Sequence, residues 1–188
     1  QIVELTQRMA DISAQLRQFS RRSSERQETI SVQACIDYAL RLFQSRLREG
    51  NITIIQEWPD ETLWVKGDLV RLEQVLVNLI GNALQAMKTV PEPQLTLGAH
   101  THRQQVIISV SDNGPGIPEE HLGNIFEPFF TTKAPGSGLG LGLSISSRIM
   151  DDLGGKLQVA NQPDGGASFT ITLPHSPLIH TQESPSYA

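Results

Sequence analysis

The residues best equipped for chemistry fall in three clusters. Asp112-Asn113-Gly114-Pro115-Gly116 closes the apolar run Val106-Ile107-Ile108-Ser109-Val110, so a strand ends in a carboxylate and then two glycines. Such an ending sets an acceptor-only group at the rim of a cavity, beside backbone free of Cβ atoms, where a flat ligand can lie close. Gly136-Ser137-Gly138-Leu139-Gly140-Leu141-Gly142 runs into the apolar-periodic segment Leu143 to Leu153. A glycine-rich loop feeding a helix N-terminus offers unpaired N–H groups and the positive end of the helix dipole to phosphate. Asn78 and Asn82 are spaced i, i+4 within a helical pattern, so their amides project from one side. Asparagine is a poor helix former, and two of them among apolar residues need partners, either within the core or in a ligand or metal. An acid for a base edge, a cradle for phosphates and paired amides together point to a nucleotide.

Four segments arrive in a telling order: Asn78-Leu79-Ile80-Gly81-Asn82-Ala83, then Asp112-Asn113-Gly114-Pro115-Gly116-Ile117, then Phe126-Glu127-Pro128-Phe129-Phe130-Thr131-Thr132-Lys133, then Gly138-Leu139-Gly140-Leu141-Gly142-Leu143-Ser144-Ile145. From about Thr29 to Pro174 the chain resembles the ATP-binding domain of sensor histidine kinases, within the GHKL superfamily that includes gyrase, Hsp90 and MutL. Leu5 to Arg21 and the asparagine helix are closest in wording to the dicarboxylate-transport sensor kinases. The resemblance implies ATP and Mg²⁺ as cofactors. It implies that Asp112 accepts a hydrogen bond from the adenine amino group and that Gly116 lets the base approach. Asn82 matches the magnesium-binding asparagine, a hard neutral ligand suited to an ion balanced mostly by triphosphate. Asn78 stands where the superfamily's ATP hydrolases carry a water-activating glutamate; an amide cannot be that base, which favours transfer over hydrolysis. Gly114, Ile117, Gly138, Gly140, Leu141 and Gly142 are implied nucleotide contacts.

Phe126 to Lys133, with Gly136 to Gly142, is expected to form a mobile lid over the triphosphate. Phe126, Phe129 and Phe130 either anchor that lid or touch a phosphoacceptor helix, and Lys133 either reaches the β- and γ-phosphates or is solvated. Gln85 sits where many relatives of the resembling family carry a basic residue, which gives Lys133 and Lys88 more phosphate charge to offset. The implied function is transfer of the γ-phosphate from ATP·Mg²⁺ to a histidine, for relay to an aspartate of a cognate response regulator. An ATP-driven clamp and a nucleotide-gated interaction module are the alternatives.

The elements that must position these residues follow from periodicity. Ile2, Leu5, Met9, Ile12, Leu16 and Phe19 form a heptad seam, which calls for a helix packed against other helices. In the resembling family this is the second helix of a dimerisation and histidine-phosphotransfer hairpin, two of which make a four-helix bundle in a homodimer. Residues 1–27 are thus expected to be that helix and a hinge, 28–174 the ATP-binding domain, and 175–188 a disordered tail rich in polar residues and proline. Within the domain, a strand at 28–32 and a helix at 33–48 stopped by Gly50 are followed by strands at 52–58 and 62–66 around Pro59-Asp60-Glu61. The asparagine helix, 69–88, carries Leu72, Leu76, Leu79, Ile80 and Ala83 on its apolar face behind an Asp68 cap. A hairpin at 94–99 and 105–111, a short helix near 119–125, a helix at 142–153 ended by Gly154-Gly155, and strands at 156–161 and 167–173 complete the chain. Three helices against one face of a mixed sheet make a two-layer α/β sandwich, the Bergerat-type ATP-binding fold.

Composition bounds these readings. The 188 residues carry 15 basic and 20 acidic side chains, so no basic surplus points to nucleic acid. The single Cys35 lies in the helical pattern of Ile36, Ala39, Leu40 and Phe43, which favours a buried thiol and agrees with a cytoplasmic setting. No run approaches about 18 apolar residues, so any membrane span is expected in a missing N-terminal region of an inner-membrane sensor. The histidines are His100, His102, His121, His175 and His180, and none has the H-E-x-x-x-P setting of a phosphoacceptor. The acceptor helix is expected upstream of Gln1. His100 and His102 read as exposed residues near a hairpin turn.

Overall fold

Alternation along the strands decides which side chains reach the site. The structure, a computed structural model, describes residues 27–132 and 139–176. Its elements are β1 (Glu28–Ser31), α1 (Val32–Leu42), α2 (Gln44–Glu49), β2 (Thr53–Glu57), β3 (Trp64–Gly67), α3 (Leu69–Ala86), β4 (Gln94–His102), β5 (Gln105–Asp112), α4 (Glu119–Leu122), α5 (Gly142–Asp152), β6 (Lys156–Asn161) and β7 (Ala167–Pro174). Five strands form one sheet in the order β2-β4-β5-β7-β6, and β1 and β3 form a separate antiparallel pair. Only β2 runs parallel to its neighbour β4, so the main sheet is mixed.

One face of that sheet is apolar. Leu95, Leu97 and Ala99 of β4, Val106, Ile108 and Val110 of β5, and Phe169, Ile171 and Leu173 of β7 are all buried there. Helices α1, α3 and α5 cover this face; α3 contributes Leu72, Val75, Leu76, Leu79, Ile80 and Ala83, and every one is buried. The opposite face is polar, with Ser109, Ser111, Ser168, Thr170 and Thr172 in alternate positions. This is the two-layer α/β arrangement that the sequence pattern predicts. Asp112 falls in the same alternation as Val110 and Ile108, opposite Leu95, so the acid at the end of β5 points into the apolar layer.

Caps fix the helix ends. The Ser31 hydroxyl accepts from the Ala34 N–H at 3.2 Å and caps α1, and Asp68 Oδ1 accepts from the Arg71 N–H at 3.2 Å and caps α3. No side chain caps α5, which starts after Leu141. Its first N–H groups are left for whatever occupies the space before them.

Several boundaries differ from the sequence expectation. The helix expected at 33–48 is two helices broken at Phe43, whose φ of −100° and ψ of 9° leave the helical region. The break lets the Phe43 ring pack on Gly81 of α3, where a Cβ would lie 3.3 Å from it. The strands on either side of Pro59-Asp60-Glu61 do not pair with each other. β2 joins the edge of the main sheet beside β4, and β3 joins β1, because their apolar residues belong to different layers. The short helix at 119–125 ends at Leu122. His175 and Ser176, expected to open a disordered tail, are held by backbone bonds: His175 N–H to Gln104 O at 3.0 Å and Ser176 N–H to Trp64 O at 2.9 Å. Residues 1–26, with the heptad seam, and 177–188 lie outside the described residues. Among the described residues no helix is long and apolar enough to cross a membrane.

Candidate functional site

A cavity of about 470 Å³ opens between α3, the end of β5 and the start of α5. Asn78, Asn82, Asp112, Gly116, Ile117, Gly140, Leu141 and Gly142 line it, eight of the residues singled out by sequence. Lys133 and Gly138 lie outside the described residues. Gly114 does not line the cavity; its N–H bonds the Asp112 carboxylate instead.

Asp112 is 4% exposed. Its Oδ1 accepts from the Gly114 N–H at 2.9 Å and from the Ala167 N–H at 3.4 Å. No side-chain nitrogen or oxygen among the described residues is both sealed and unpaired, so Oδ2 opens into the cavity that Asp112 lines. Burial pushes the carboxyl above the usual aspartate range, and the N–H groups of Gly114 and Ala167 pull it only partly back. The result is a fixed carboxylate with one free oxygen, an acceptor for a ligand that donates.

The loop that carries Asp112 is braced from β6, and sequence reasoning missed the braces. Asn161 Oδ1 accepts from the Ile117 N–H at 2.8 Å, and its Nδ2 donates to Ile117 O at 2.7 Å. Gln162 Nε2 donates to Asp112 O at 2.8 Å. Gly166, at φ +89°, presses its backbone on Asp112 O so closely that a Cβ there would sit 1.8 Å away. Asn113 ties the loop to the segment before β4, accepting from the Gln94 N–H at 2.8 Å and donating to Glu92 O at 2.8 Å. No local motif announces a brace that lies 44 or 50 residues down the chain.

At the other end of the cavity, Asn78 Nδ2 donates to Ser146 Oγ at 2.9 Å, and Asn78 takes no bond at Oδ1. Oδ1 is therefore open to the cavity. Asn82 lines the same wall one turn on. Two neutral amides beside the uncapped start of α5 fit a cation that arrives already held by phosphate, and fit a free divalent ion poorly. In agreement, no group of three or more His, Cys, Asp or Glu side chains among the described residues could hold a metal by itself. The described lining contains no Lys or Arg; Gln85 lines the cavity, while Lys88 is exposed and does not.

The three phenylalanines divide. Phe126 packs against the core, and Phe130 lines the cavity with its ring edge-on to His121 at 5.3 Å between centroids. Phe129 is 68% exposed, with a φ of 67° and its N–H bonded to Gly140 O at 3.0 Å. That bond joins the two ends of the loop that includes residues 133–138. His121 and Ala167 also line the cavity and went unremarked in the sequence as wall residues. Cys35 is buried on α1, away from this lining, and burial pushes its thiol up to about 12. It is a packing residue.

Comparison with known proteins agrees with this geometry. Residues 67–177 match the family described as histidine kinase-, DNA gyrase B-, and HSP90-like ATPase. The chain is 40% identical over 174 residues to the C4-dicarboxylate transport sensor protein DctB of Pseudomonas aeruginosa, covering 92% of this chain and 28% of that protein. It therefore spans little more than a quarter of that relative's length. Among solved structures, the catalytic domain of the histidine kinase ThkA superposes with a TM-score of 0.72 at 35% identity, covering 81% of this chain and 99% of that one. ThkA in complex with the response regulator protein TrrA gives 0.74 at 31% identity, covering 92% of this chain and 49% of that one.

Proposed function

Because the chain belongs to the histidine kinase-, DNA gyrase B- and HSP90-like ATPase family and carries the catalytic domain of sensor histidine kinases, we propose that it binds ATP·Mg²⁺ and presents the γ-phosphate to a histidine for transfer. The observation that carries this reading is the single free oxygen of buried Asp112 at one end of a cavity whose other end holds Asn78, Asn82 and the uncapped start of α5. Asp112 Oδ2 accepts from the adenine amino group. Gly116 and Ile117 lie against the base, and Gly140, Leu141 and Gly142 offer backbone N–H groups to the phosphates. Asn82 is the residue that would hold Mg²⁺, and the ion when bound would offset phosphate charge. Lys133 and Gly138 belong to the loop over the phosphates. Asn78 supplies no base for water, so positioning, and not hydrolysis, is the work of this site.

The acceptor is a histidine on a dimerisation helix, because none of the chain's five histidines has the flanking residues of one. From it the phosphate passes to an aspartate on a cognate response regulator, a partner supported by the ThkA–TrrA complex. The parent is a membrane-anchored sensor acting as a homodimer, with this domain in the cytoplasm, and its likeness to a dicarboxylate-transport sensor makes that its first candidate signal.

The test mixes the chain with ATP, Mg²⁺ and a separate acceptor-helix peptide of the relative's sequence and follows acid-labile phosphate on the peptide. Transfer that disappears with Asp112→Asn supports the reading. Tight ATP binding with rapid phosphate release to water and none to the peptide would overturn it in favour of an ATP-driven clamp.

A further inference from the structure

Helix α5 meets α3 through a contact that the nucleotide reading leaves unused. Gly142 and Ser146 are spaced i, i+4 on α5, and both face Asn78. The Ser146 side chain is sealed, at 1% exposure, and its oxygen receives the Asn78 Nδ2 donor at 2.9 Å. Asn78 Oδ1 turns the other way, toward Gly142, where a Cβ would lie only 2.4 Å from it. Only a glycine leaves room for that oxygen.

We propose that Ser146 is a positioning residue that fixes the rotation of the Asn78 amide, so that Asn78 shows the cavity an oxygen and not an NH₂ group. Two features select this rotation. The uncapped start of α5 carries partial positive charge, which favours the amide oxygen beside Gly142. The NH₂ group is then left for Ser146 one turn further along, out of reach of water. The choice has a chemical consequence. An oxygen on the cavity wall attracts a cation or a water bound to one, whereas an NH₂ group would attract a phosphate oxygen and repel the cation. Resting on the nucleotide reading of this cavity, the role of Ser146 is to make nucleotide uptake depend on the divalent cation.

The experiment compares Ser146→Thr with Ser146→Val, which match in volume and differ in the hydroxyl. Calorimetry follows ADP binding across a Mg²⁺ titration and again in EDTA. Ser146→Val raises the Mg²⁺ concentration for half-maximal binding about 3–10-fold over Ser146→Thr, the effect of losing one ordinary hydrogen bond. ADP binding in EDTA is the same in both, since the adenine end is untouched. Equal Mg²⁺ requirements, or an equal loss with and without Mg²⁺, would overturn the role. The unaltered chain gives a second readout. The Asn78 side-chain amide protons, one of them on a sealed oxygen, exchange with water more slowly than those of exposed Asn124. Exchange as fast as Asn124 would overturn it regardless of the variants. If the unaltered chain bound no ADP, the nucleotide reading would fail, and the exchange measurement would still decide whether the amide is held.

Discussion

A carboxylate buried among apolar side chains costs folding free energy, and Asp112 is such a group. Its two bonds, from Gly114 and Ala167, both fall on one oxygen, so the other stays short of partners until a ligand arrives. Burial raises its pKa above the ordinary 3.8. The folded state therefore binds the proton more tightly than the unfolded chain. Stability from this group is fully present below the unfolded value and is lost as pH rises through the raised one. At neutral pH the charge opposes folding. Asp112→Asn keeps an oxygen for Gly114 and Ala167 while removing that charge, so the ligand-free variant should melt higher than the parent at neutral pH, with the advantage shrinking as pH falls toward 3.8. Its affinity for ADP should fall about 10–100-fold, because an NH₂ group then meets the donor edge of adenine and a charge-assisted hydrogen bond is lost. Melting curves at several pH values and calorimetry with ADP measure the two effects separately. A variant that binds ADP as well as the parent would remove Asp112 from the site.

At the scale of elements, the sequence made the walls of the cavity legible and hid what braces them. The apolar stripe of α3, the acid at the end of β5 and the glycines before α5 are local patterns, readable because periodicity and turn chemistry act over a few residues. Asn161 and Gln162 are different. They sit in an unremarkable strand end and a turn, and become meaningful only when β6 lies beside β7 and reaches the loop after β5. Phe43 was likewise readable as helical by pattern, yet tertiary packing against Gly81 breaks the helix there. The pairing of β2 with β4 also had no local sign, since parallel partners are chosen by the layer each strand must cover. The brace yields a sharp expectation. Asn161→Ala removes both bonds to Ile117 and should lower stability by about 1–2 kcal/mol. Because Ile117 lines the cavity, ADP affinity should fall as well. Chemical denaturation with and without ADP checks this, and an unchanged affinity would mean that the loop holds its shape without β6.

For the molecule as a whole, α5 joins the cavity to the small sheet. Its first residues line the cavity, while at its far end Asp152 pairs with Arg71 of α3 at 2.5 Å and Leu153 lies against Gly67 of β3. The pair is partly exposed and adds little by itself. Its consequence is geometric: the helix that would receive the phosphates is tied at both ends to the layer beneath it. A ligand that engages Asp112, α3 and the start of α5 together binds only when these elements are packed, so it binds the folded state and not the unfolded chain. Mass action then sets the size of the effect. At a nucleotide concentration 100 times its dissociation constant, the folded state gains about 2.7 kcal/mol. For a domain of about 150–250 residues each kcal/mol moves the melting midpoint by about 2–4 °C, so saturating Mg²⁺·ADP should raise it by about 5–11 °C. Guanine nucleotides should give a smaller shift, because the purine edge facing Asp112 Oδ2 would then carry a carbonyl in place of an amino donor. Asp112→Asn should lose most of the ADP shift while keeping its higher starting midpoint at neutral pH. A midpoint that does not move with ADP in the unaltered chain, or that moves equally with guanine nucleotides, would show that the free oxygen of Asp112 does not select the base.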